Sequence, residues 1–158
     1  VQAEEGELYP SVAGSDGTMG HVLACESRVQ NDWQKKEADR KTYIDMDGTA
    51  VFKFAVRKMP EMAKSLMTQM HCTEADIDWF ITHQANERII EAIAKRLKSD
   101  IAKFPMNIAE CGNTSSASIP ILLDEMNRSG QLKDGQKIIM AGFGAGLSWG
   151  AVYMEWHA

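Results

Sequence analysis

The sequence is poor in the three features that would fix its class at once: cysteine, long apolar runs and an excess of one charge. Its three cysteines are an odd number without a CxxC pair or a Cys/His pair at metal-ligand spacing, which favours reduced thiols in the cytoplasm. The longest apolar run, 138–147, contains ten residues, whereas a membrane-spanning helix needs roughly 18. A formal net charge of −5 without a block of Lys or Arg argues against a nucleic-acid partner.

What remains is the composition of one ordinary globular domain. The chain has 158 residues, 44% of them hydrophobic, and at this length folding buries about 68–70% of the surface of the unfolded chain. The first five residues hold neither an initiator Met nor a basic stretch followed by an apolar one, so we expect no signal peptide. We expect the chain to belong to something longer, and its charged segment 27–41 to be exposed.

Apolar periodicity predicts three helices. One lies within 51–70 and contains Pro60, which we expect to kink it; the second follows residue 83 and the third follows residue 116. The expected inner faces are Val51, Ala55, Met59, Met62 and Leu66; Ile89, Ile90, Ile93, Ala94 and Leu97; and Ile119, Leu122, Leu123 and Met126.

Short runs rich in aromatic and β-branched residues predict strands at 77–81, 137–143 and 149–156, with a short extended piece at 107–109. The cluster 14–18 predicts a turn. Few residues separate the last two strands, so they are expected to pair as an antiparallel hairpin. Alternating strands and helices predict an α/β fold, with a mixed five-stranded sheet and helices on both faces.

Two polar positions stand between a predicted strand or extended piece and a helix, where open α/β sheets keep their ligand crevices. His83 follows the strand at 77–81, and Asn113 lies in the loop 112–116. Each also has an ordinary structural interpretation: His83 as a strand-end residue bonded to backbone, Asn113 as a turn or helix-capping residue. Together they suggest two hydrogen-bond donors that converge.

The glycine-rich segment 142–146 has the spacing GxGxG and precedes a strand, so it fails the context of a dinucleotide-binding fingerprint, which needs a following helix. Its backbone N–H groups could approach a ligand closely, as in an oxyanion hole. A plain tight turn is the alternative.

Three blocks carry a resemblance: HQAN-x-R-I at 83–89, GNTS-x-AS-IP at 112–120 and GFGAGLSWG at 142–150. They closely resemble the C-terminal half of the β-ketoacyl-acyl-carrier-protein synthase III family, which has the thiolase fold. The resemblance covers essentially the whole chain as one C-terminal thiolase-like domain, 1–158. It implies that an N-terminal half bearing the catalytic cysteine is absent here.

The resemblance implies a decarboxylative Claisen condensation that starts fatty-acid synthesis from an acyl-CoA primer and malonyl-acyl carrier protein. His83 matches the histidine and Asn113 the asparagine of the family's Cys-His-Asn triad. We expect both to act as neutral donors to the enolate oxygen, with a lowered pKa at His83. Cys25, Cys72 and Cys111 are expected to be packing residues, so this chain alone is expected to be inactive.

Further matched positions are assigned to substrates by the same resemblance. Asn86 and Gly48 match positions beside the pantetheine arm, and Arg88 matches a basic residue of carrier-protein docking. Met46 and Phe52 match the apolar acyl pocket, for which core packing is the alternative.

Phe143 and Ala145 match the loop that completes the site, Ala145 through its backbone N–H. No cofactor is implied beyond the CoA thioester and phosphopantetheine of the substrates, and no metal. The implied partners are the N-terminal half, acyl carrier protein, acyl-CoA and, in the full enzyme, a second copy in a cytoplasmic homodimer.

Two alternatives stay open. A chalcone-synthase-like or polyketide starter synthase shares this fold and triad but takes other acyl groups. A non-catalytic fragment that only assembles with another chain would fit the lack of the cysteine.

Overall fold

The structure, a computed structural model, describes residues 9–25 and 43–157. The charged segment 27–41 and the first five residues, on which expectations were placed, lie outside the described residues. The described strands are β1 (Ser11–Ser15), β2 (Leu23–Ala24), β3 (Asp45–Met46), β4 (Trp79–Thr82), β5 (Lys137–Gly144) and β6 (Ser148–Glu155). The α-helices are α1 (Gly48–Gln69), α2 (Glu87–Leu97), α3 (Ile108–Cys111) and α4 (Ser118–Arg128).

The main sheet is mixed and has the order β1-β6-β5-β4. Strands β5 and β6 form the expected antiparallel hairpin, β1 pairs antiparallel with β6, and β4 pairs parallel with β5. Because β4 and β5 run in the same direction, their carboxyl ends meet at one edge of the sheet. Strands β2 and β3 pair with each other in a separate small ribbon.

Helices cover both faces of this sheet, as the sequence predicts. On one face α1 and α2 pack on the side chains of Phe80, Ile139 and Tyr153. On the other, α4 packs on Ile81 and Ile138. Alternate residues of each strand point to opposite faces, so one strand supplies both cores.

The predicted inner faces of α1 and α2 are buried throughout. Asp47 caps α1 by accepting hydrogen bonds from the backbone N–H groups of Thr49 and Ala50, both at 3.0 Å. Residue Pro60, where a kink was expected, lies inside one continuous helix of 22 residues. None of the described helices is long and apolar enough to cross a membrane.

Three predictions of local structure were wrong. The main sheet has four strands among the described residues, not five. The piece at 107–109 is not extended: the carbonyl of Asn107 accepts hydrogen bonds from the N–H groups of Glu110 and Cys111, which closes the turn that starts α3. The predicted turn at 14–18 overlaps β1, and only from Asp16 onward does the chain turn, as the cap of a short 3-10 helix, Gly17–Val22.

Candidate active site

A cleft of about 1420 Å³ opens at the edge of the sheet where β4 and β5 end. Its walls come from the segment after β4, the glycine-rich end of β5, the loop before α4, and the β3–α1 junction. Every residue that the sequence analysis proposed for the site lines it: His83, Asn113, Asn86, Arg88, Gly48, Met46, Phe52, Phe143 and Ala145. Positions spread over 100 residues of sequence therefore share one cavity.

His83 is held by β4 and by two side chains. Its backbone N–H continues the parallel pairing by donating to the carbonyl of Ala141 at 2.9 Å. Its ring nitrogen Nδ1 lies 2.6 Å from the hydroxyl oxygen of Ser118, and the Phe143 ring packs edge-on against it with centroids 5.5 Å apart. Burial lowers the pKa of His83 below its ordinary value of 6.5, the direction that was expected.

Asn113 is exposed on the cleft wall, in the loop between α3 and α4. Its side-chain oxygen Oδ1 accepts a hydrogen bond from the backbone N–H of Ser115 at 3.0 Å, which is an Asx turn. This confirms the structural interpretation of Asn113 as a turn residue. It also means that the acceptor atom of the amide is engaged, while the Nδ2 group carries the donors.

Asn86 and Arg88 stand at the start of α2. Asn86 caps the helix through Oδ1, which accepts a hydrogen bond from the N–H of Arg88 at 2.9 Å. Both side chains are exposed on the cleft. As at Asn113, capping occupies the amide oxygen of Asn86 and leaves the amide donors for other contacts.

The opposite wall comes from the start of α1 and the strand before it. Met46 is 56% exposed and so is not part of the core of the described residues, whereas Phe52 is half-buried against the main core. Gly48 is the first residue of α1, and a Cβ built there would meet nothing within 4 Å. A small side chain at this position would therefore meet no steric obstacle.

Phe143 and Ala145 belong to the end of the β5–β6 hairpin. Phe143 packs on Phe54 as well as on His83, and Ala145 is exposed in the connection. Gly146 has φ +140°, and a Cβ there would lie 2.5 Å from the Ser148 hydroxyl oxygen. The segment is thus a tight connection between strands, not the strand-to-helix turn of a dinucleotide site.

The three cysteines lie among the described residues and form no disulfide. Burial, helped by the Asp76 carboxylate, raises the pKa of Cys72; burial and the nearby Glu125 raise that of Cys111. Both shifts keep the thiol protonated and unreactive. Cys25, expected to be a packing residue, lies half-buried on the cleft wall.

Sequence reasoning missed Ser118, whose hydroxyl lies within hydrogen-bond distance of the His83 ring. The serine stood inside the GNTS-x-AS-IP block, but 35 residues separate it from His83 and no local pattern links the two. Within the described ranges 9–25 and 43–157, no group of three His, Cys, Asp or Glu side chains is placed to hold a metal ion.

Comparison with known proteins identifies the family. The family model for the C-terminal part of 3-oxoacyl-[acyl-carrier-protein] synthase III matches residues 67–156, which is more than half of the chain. The chain belongs to the 3-oxoacyl-[acyl-carrier-protein] synthase III family. In this family's thiolase-like fold it corresponds to the C-terminal half.

Individual relatives agree with this assignment to the synthase III family. The chain is 43% identical over 158 residues to β-ketoacyl-[acyl-carrier-protein] synthase III of Clostridium novyi, covering 99% of this chain and 49% of the relative. The solved 3-oxoacyl-(acyl carrier protein) synthase III of Pseudomonas aeruginosa superposes with a TM-score of 0.87 at 36% identity, covering 100% of this chain and 47% of that one. The priming β-ketosynthase of a polyketide pathway superposes with a TM-score of 0.85 at 32% identity, over 97% and 46% of the two chains.

The chain spans about half the length of the synthase III relatives it matches. The activity, substrates and partners of a whole synthase III are therefore proposals for this chain.

Proposed function

We propose that this chain is the C-terminal half of a condensing enzyme that joins an acyl-CoA primer to malonyl-acyl carrier protein and so starts fatty-acid synthesis. The observation that carries the proposal is the pairing of donors in the cleft. His83 and Asn113 line the same cavity; Nδ1 of His83 lies beside the Ser118 hydroxyl, and Oδ1 of Asn113 accepts from the N–H of Ser115. The Nδ2 group of Asn113 remains to donate, and Nε2 of His83 would donate when it carries the ring proton.

Two neutral donors suit the chemistry of decarboxylation. When malonyl thioester loses CO₂, the C–C bond to the carboxylate breaks and its electron pair forms an enolate whose charge rests on the thioester oxygen. N–H groups aimed at that oxygen stabilise the charge as it develops. The enolate carbon then attacks the acyl thioester, a C–C bond forms, and the cysteine thiolate leaves. A lowered pKa at His83 supports the neutral form.

The nucleophilic cysteine of this scheme belongs to an N-terminal half, with which this chain would assemble. Cys72 and Cys111 are poor candidates because their raised pKa values disfavour the thiolate. On its own the chain would form no acyl-enzyme. A thioester on this chain after mixing with acyl-CoA, with no partner present, would contradict the scheme.

The other cleft residues are assigned to the substrates. Asn86 and Gly48 would lie along the pantetheine arm of CoA or of the carrier protein, and Arg88 would meet the acidic carrier protein at the rim. Met46 and Phe52 would bound the acyl chain. The complete enzyme would be a cytoplasmic homodimer that needs no cofactor beyond its thioester substrates.

Phe143 and Ala145 would complete the site on the cysteine side. Phe143 packs against the His83 ring, and Ala145 would contribute its backbone N–H. The role of Ala145 therefore does not depend on its side chain.

A priming polyketide synthase is the second candidate, because the solved priming β-ketosynthase is 32% identical over nearly the whole chain. Both candidates share the proposed roles of His83 and Asn113. Condensation rates with malonyl-acyl carrier protein and a panel of acyl-CoA primers separate the two candidates. Preference for a short acyl-CoA of fatty-acid synthesis supports the fatty-acid enzyme, and preference for a specialised starter supports the priming polyketide synthase.

The central test is His83→Leu in the complete protein, which removes both ring nitrogens, with His157→Leu as matched control. His157 is 67% exposed and its ring Nδ1 faces Asp134, and it is not among the cleft residues. Decarboxylation of malonyl-acyl carrier protein should fall about 10²- to 10³-fold in His83→Leu, the cost of one lost oxyanion donor, while acylation of the cysteine by acyl-CoA persists. Equal decarboxylation in both variants would overturn the proposal.

A further inference from the structure

We propose that Ser118 is a positioning residue that holds the His83 imidazole with its proton on Nε2, and that ties the Asn113 loop to the end of β4. The tautomer follows from the hydrogen bonds alone. The catalytic consequence rests on the function proposed above.

The starting observation is a buried hydroxyl with two neighbours. Ser118 is 2% exposed, and its Oγ lies 3.2 Å from the backbone N of Gln84 and 2.6 Å from Nδ1 of His83. The Gln84 N–H can only donate, so the serine oxygen accepts there. The hydroxyl proton then needs an acceptor, and Nδ1 is the one within reach.

An imidazole that accepts at Nδ1 carries its proton on Nε2 when neutral. Nε2 lies on the far side of the ring from Ser118, so it is the nitrogen free to serve the cleft. The opposite tautomer would set an N–H of His83 and an N–H of Gln84 on the same oxygen, and the buried serine proton would have no acceptor among these atoms. Leaving a buried donor unpaired costs about 1–3 kcal/mol.

The backbone at Gln84 is held in place, so its N–H continues to donate to the Ser118 hydroxyl. Gln84 is completely buried; its side chain donates to the carbonyls of Thr82 and Pro105, and accepts from the N–H of Asn107. The Gln84 N–H therefore has little freedom to leave Ser118. The Phe143 ring restrains the imidazole from another side.

Ser118 also couples the two proposed donors. It is the first residue of α4, and the short 3-10 helix Ser115–Ala117 connects it directly to the Asx turn of Asn113. A bond from Ser118 to His83 thus fixes the start of α4 relative to β4, and with it the loop that carries Asn113. One hydroxyl sets the tautomer of one donor and the location of the other.

The test is a long-range ¹H–¹⁵N NMR correlation on the complete protein, labelled with ¹⁵N-histidine, at pH 8, where the ring is neutral. His83→Gln identifies the His83 signals by their loss. The expected pattern is a protonated Nε2 and an unprotonated Nδ1. A protonated Nδ1, or one averaged signal, overturns the proposal without any serine variant having to fold.

Variants then test the catalytic consequence. Ser118→Ala should average the two nitrogen signals and lower kcat for condensation by about 10- to 100-fold, the scale of a misplaced catalytic group, with little change in KM. Ser118→Thr should restore the tautomer. The matched control is Ser129→Ala at the other end of α4, whose hydroxyl donates to the Met126 carbonyl and should leave both readouts unchanged.

The outcomes distinguish a failure of the Ser118 proposal from a failure of the proposed function. Unchanged NMR signals and kcat in Ser118→Ala overturn the positioning role. If His83→Leu condenses at the normal rate while Ser118→Ala still perturbs the tautomer, then the proposed function fails and the positioning role stands.

Discussion

At the scale of single residues, the state of His83 depends on how deeply its ring is buried. Desolvation disfavours the imidazolium, so the pKa lies below 6.5 in the folded protein. The charged side chains that line the same cleft are Asp47, Lys53 and Arg88. Because a neutral donor is required in the proposed scheme, the lowered pKa widens the pH range over which the site works.

The pH dependence of stability follows from the same shift at His83. The unfolded chain binds the proton near pH 6.5 and the folded one only at lower pH, so the unfolded state is favoured as the pH falls through 6.5. We expect urea midpoints at pH 7.5 and 5.5 to differ more in the wild type than in His83→Gln. Below the lowered pKa both states are protonated and the loss stops growing. An NMR titration with His83 protonated at pH 7 would contradict this prediction.

A substitution at Asn113 can separate its structural role in the turn from its proposed role as a donor to the enolate. In Asn113→Asp the carboxylate still accepts from the N–H of Ser115, so the turn should remain, but the donors of Nδ2 are lost. We expect an unchanged urea midpoint and about a 10²- to 10³-fold lower rate of decarboxylation. Asn127→Asp, an exposed change on α4, is the control. If Asn113→Asp retains full activity, the amide is not a donor to the enolate.

At the scale of elements, the strand β1 shows what periodicity alone cannot predict. Helix faces were predicted correctly because apolar spacing of three and four has one geometric solution. Residues 11–15, SVAGS, offer one large apolar side chain and a glycine, and the turn predicted at 14–18 overlaps their last two positions. The strand exists because β6 supplies its hydrogen bonds, and that partner lies more than 130 residues away.

Gly14, which belongs to the predicted turn, is also required for the structure of β1. Gly14 pairs with Trp149, and a Cβ built on Gly14 would lie 2.6 Å from the indole. The indole cannot easily retreat, since it packs on Phe54 with centroids 5.5 Å apart and carries the Lys58 ammonium over its ring at 4.8 Å. The close approach of β1 to Trp149 therefore depends on the absence of a side chain.

We expect Gly14→Ala to destabilise the protein by about 1–3 kcal/mol, the usual cost of overpacking. Urea unfolding measures it. Gly17→Ala is the control, because nothing lies within 4 Å of a Cβ there, and it should change stability by less than about 0.5 kcal/mol. In the Trp149→Phe background the smaller ring should reduce the cost of Gly14→Ala. Equal costs in both backgrounds would mean that the indole is not the obstacle.

The cleft itself was predictable only in part. The motif residues His83 and Asn113 were found because polar groups at strand and helix boundaries are visible in a sequence. The hydrogen bond between His83 and Ser118 was not, because it depends on how α4 packs against the end of β4. Likewise no local pattern indicated that Cys25, which directly follows β2, lies on the cleft wall.

At the scale of the whole molecule, several large apolar side chains are exposed, as is typical of a surface that another chain covers. Tyr43, Ile44 and Met46 are 62%, 71% and 56% exposed and lie in one short stretch beside the cleft. Ile101 and Val152 are 44% and 37% exposed at other places on the surface. Clustered exposure of large apolar residues marks a contact surface more often than scattered exposure does. In the proposed enzyme the N-terminal half would cover the stretch 43–46.

We therefore expect the 158-residue chain, expressed alone, to self-associate or aggregate, and to form a defined complex when the complementary N-terminal half is co-expressed. Sedimentation velocity measures both states. Ile44→Lys should reduce self-association more than Ile101→Lys, because Ile44 belongs to the stretch 43–46 and Ile101 stands apart. A clean monomer of the unmodified chain at tens of micromolar would contradict the prediction. Equal effects of the two lysine variants would place the self-associating surface elsewhere.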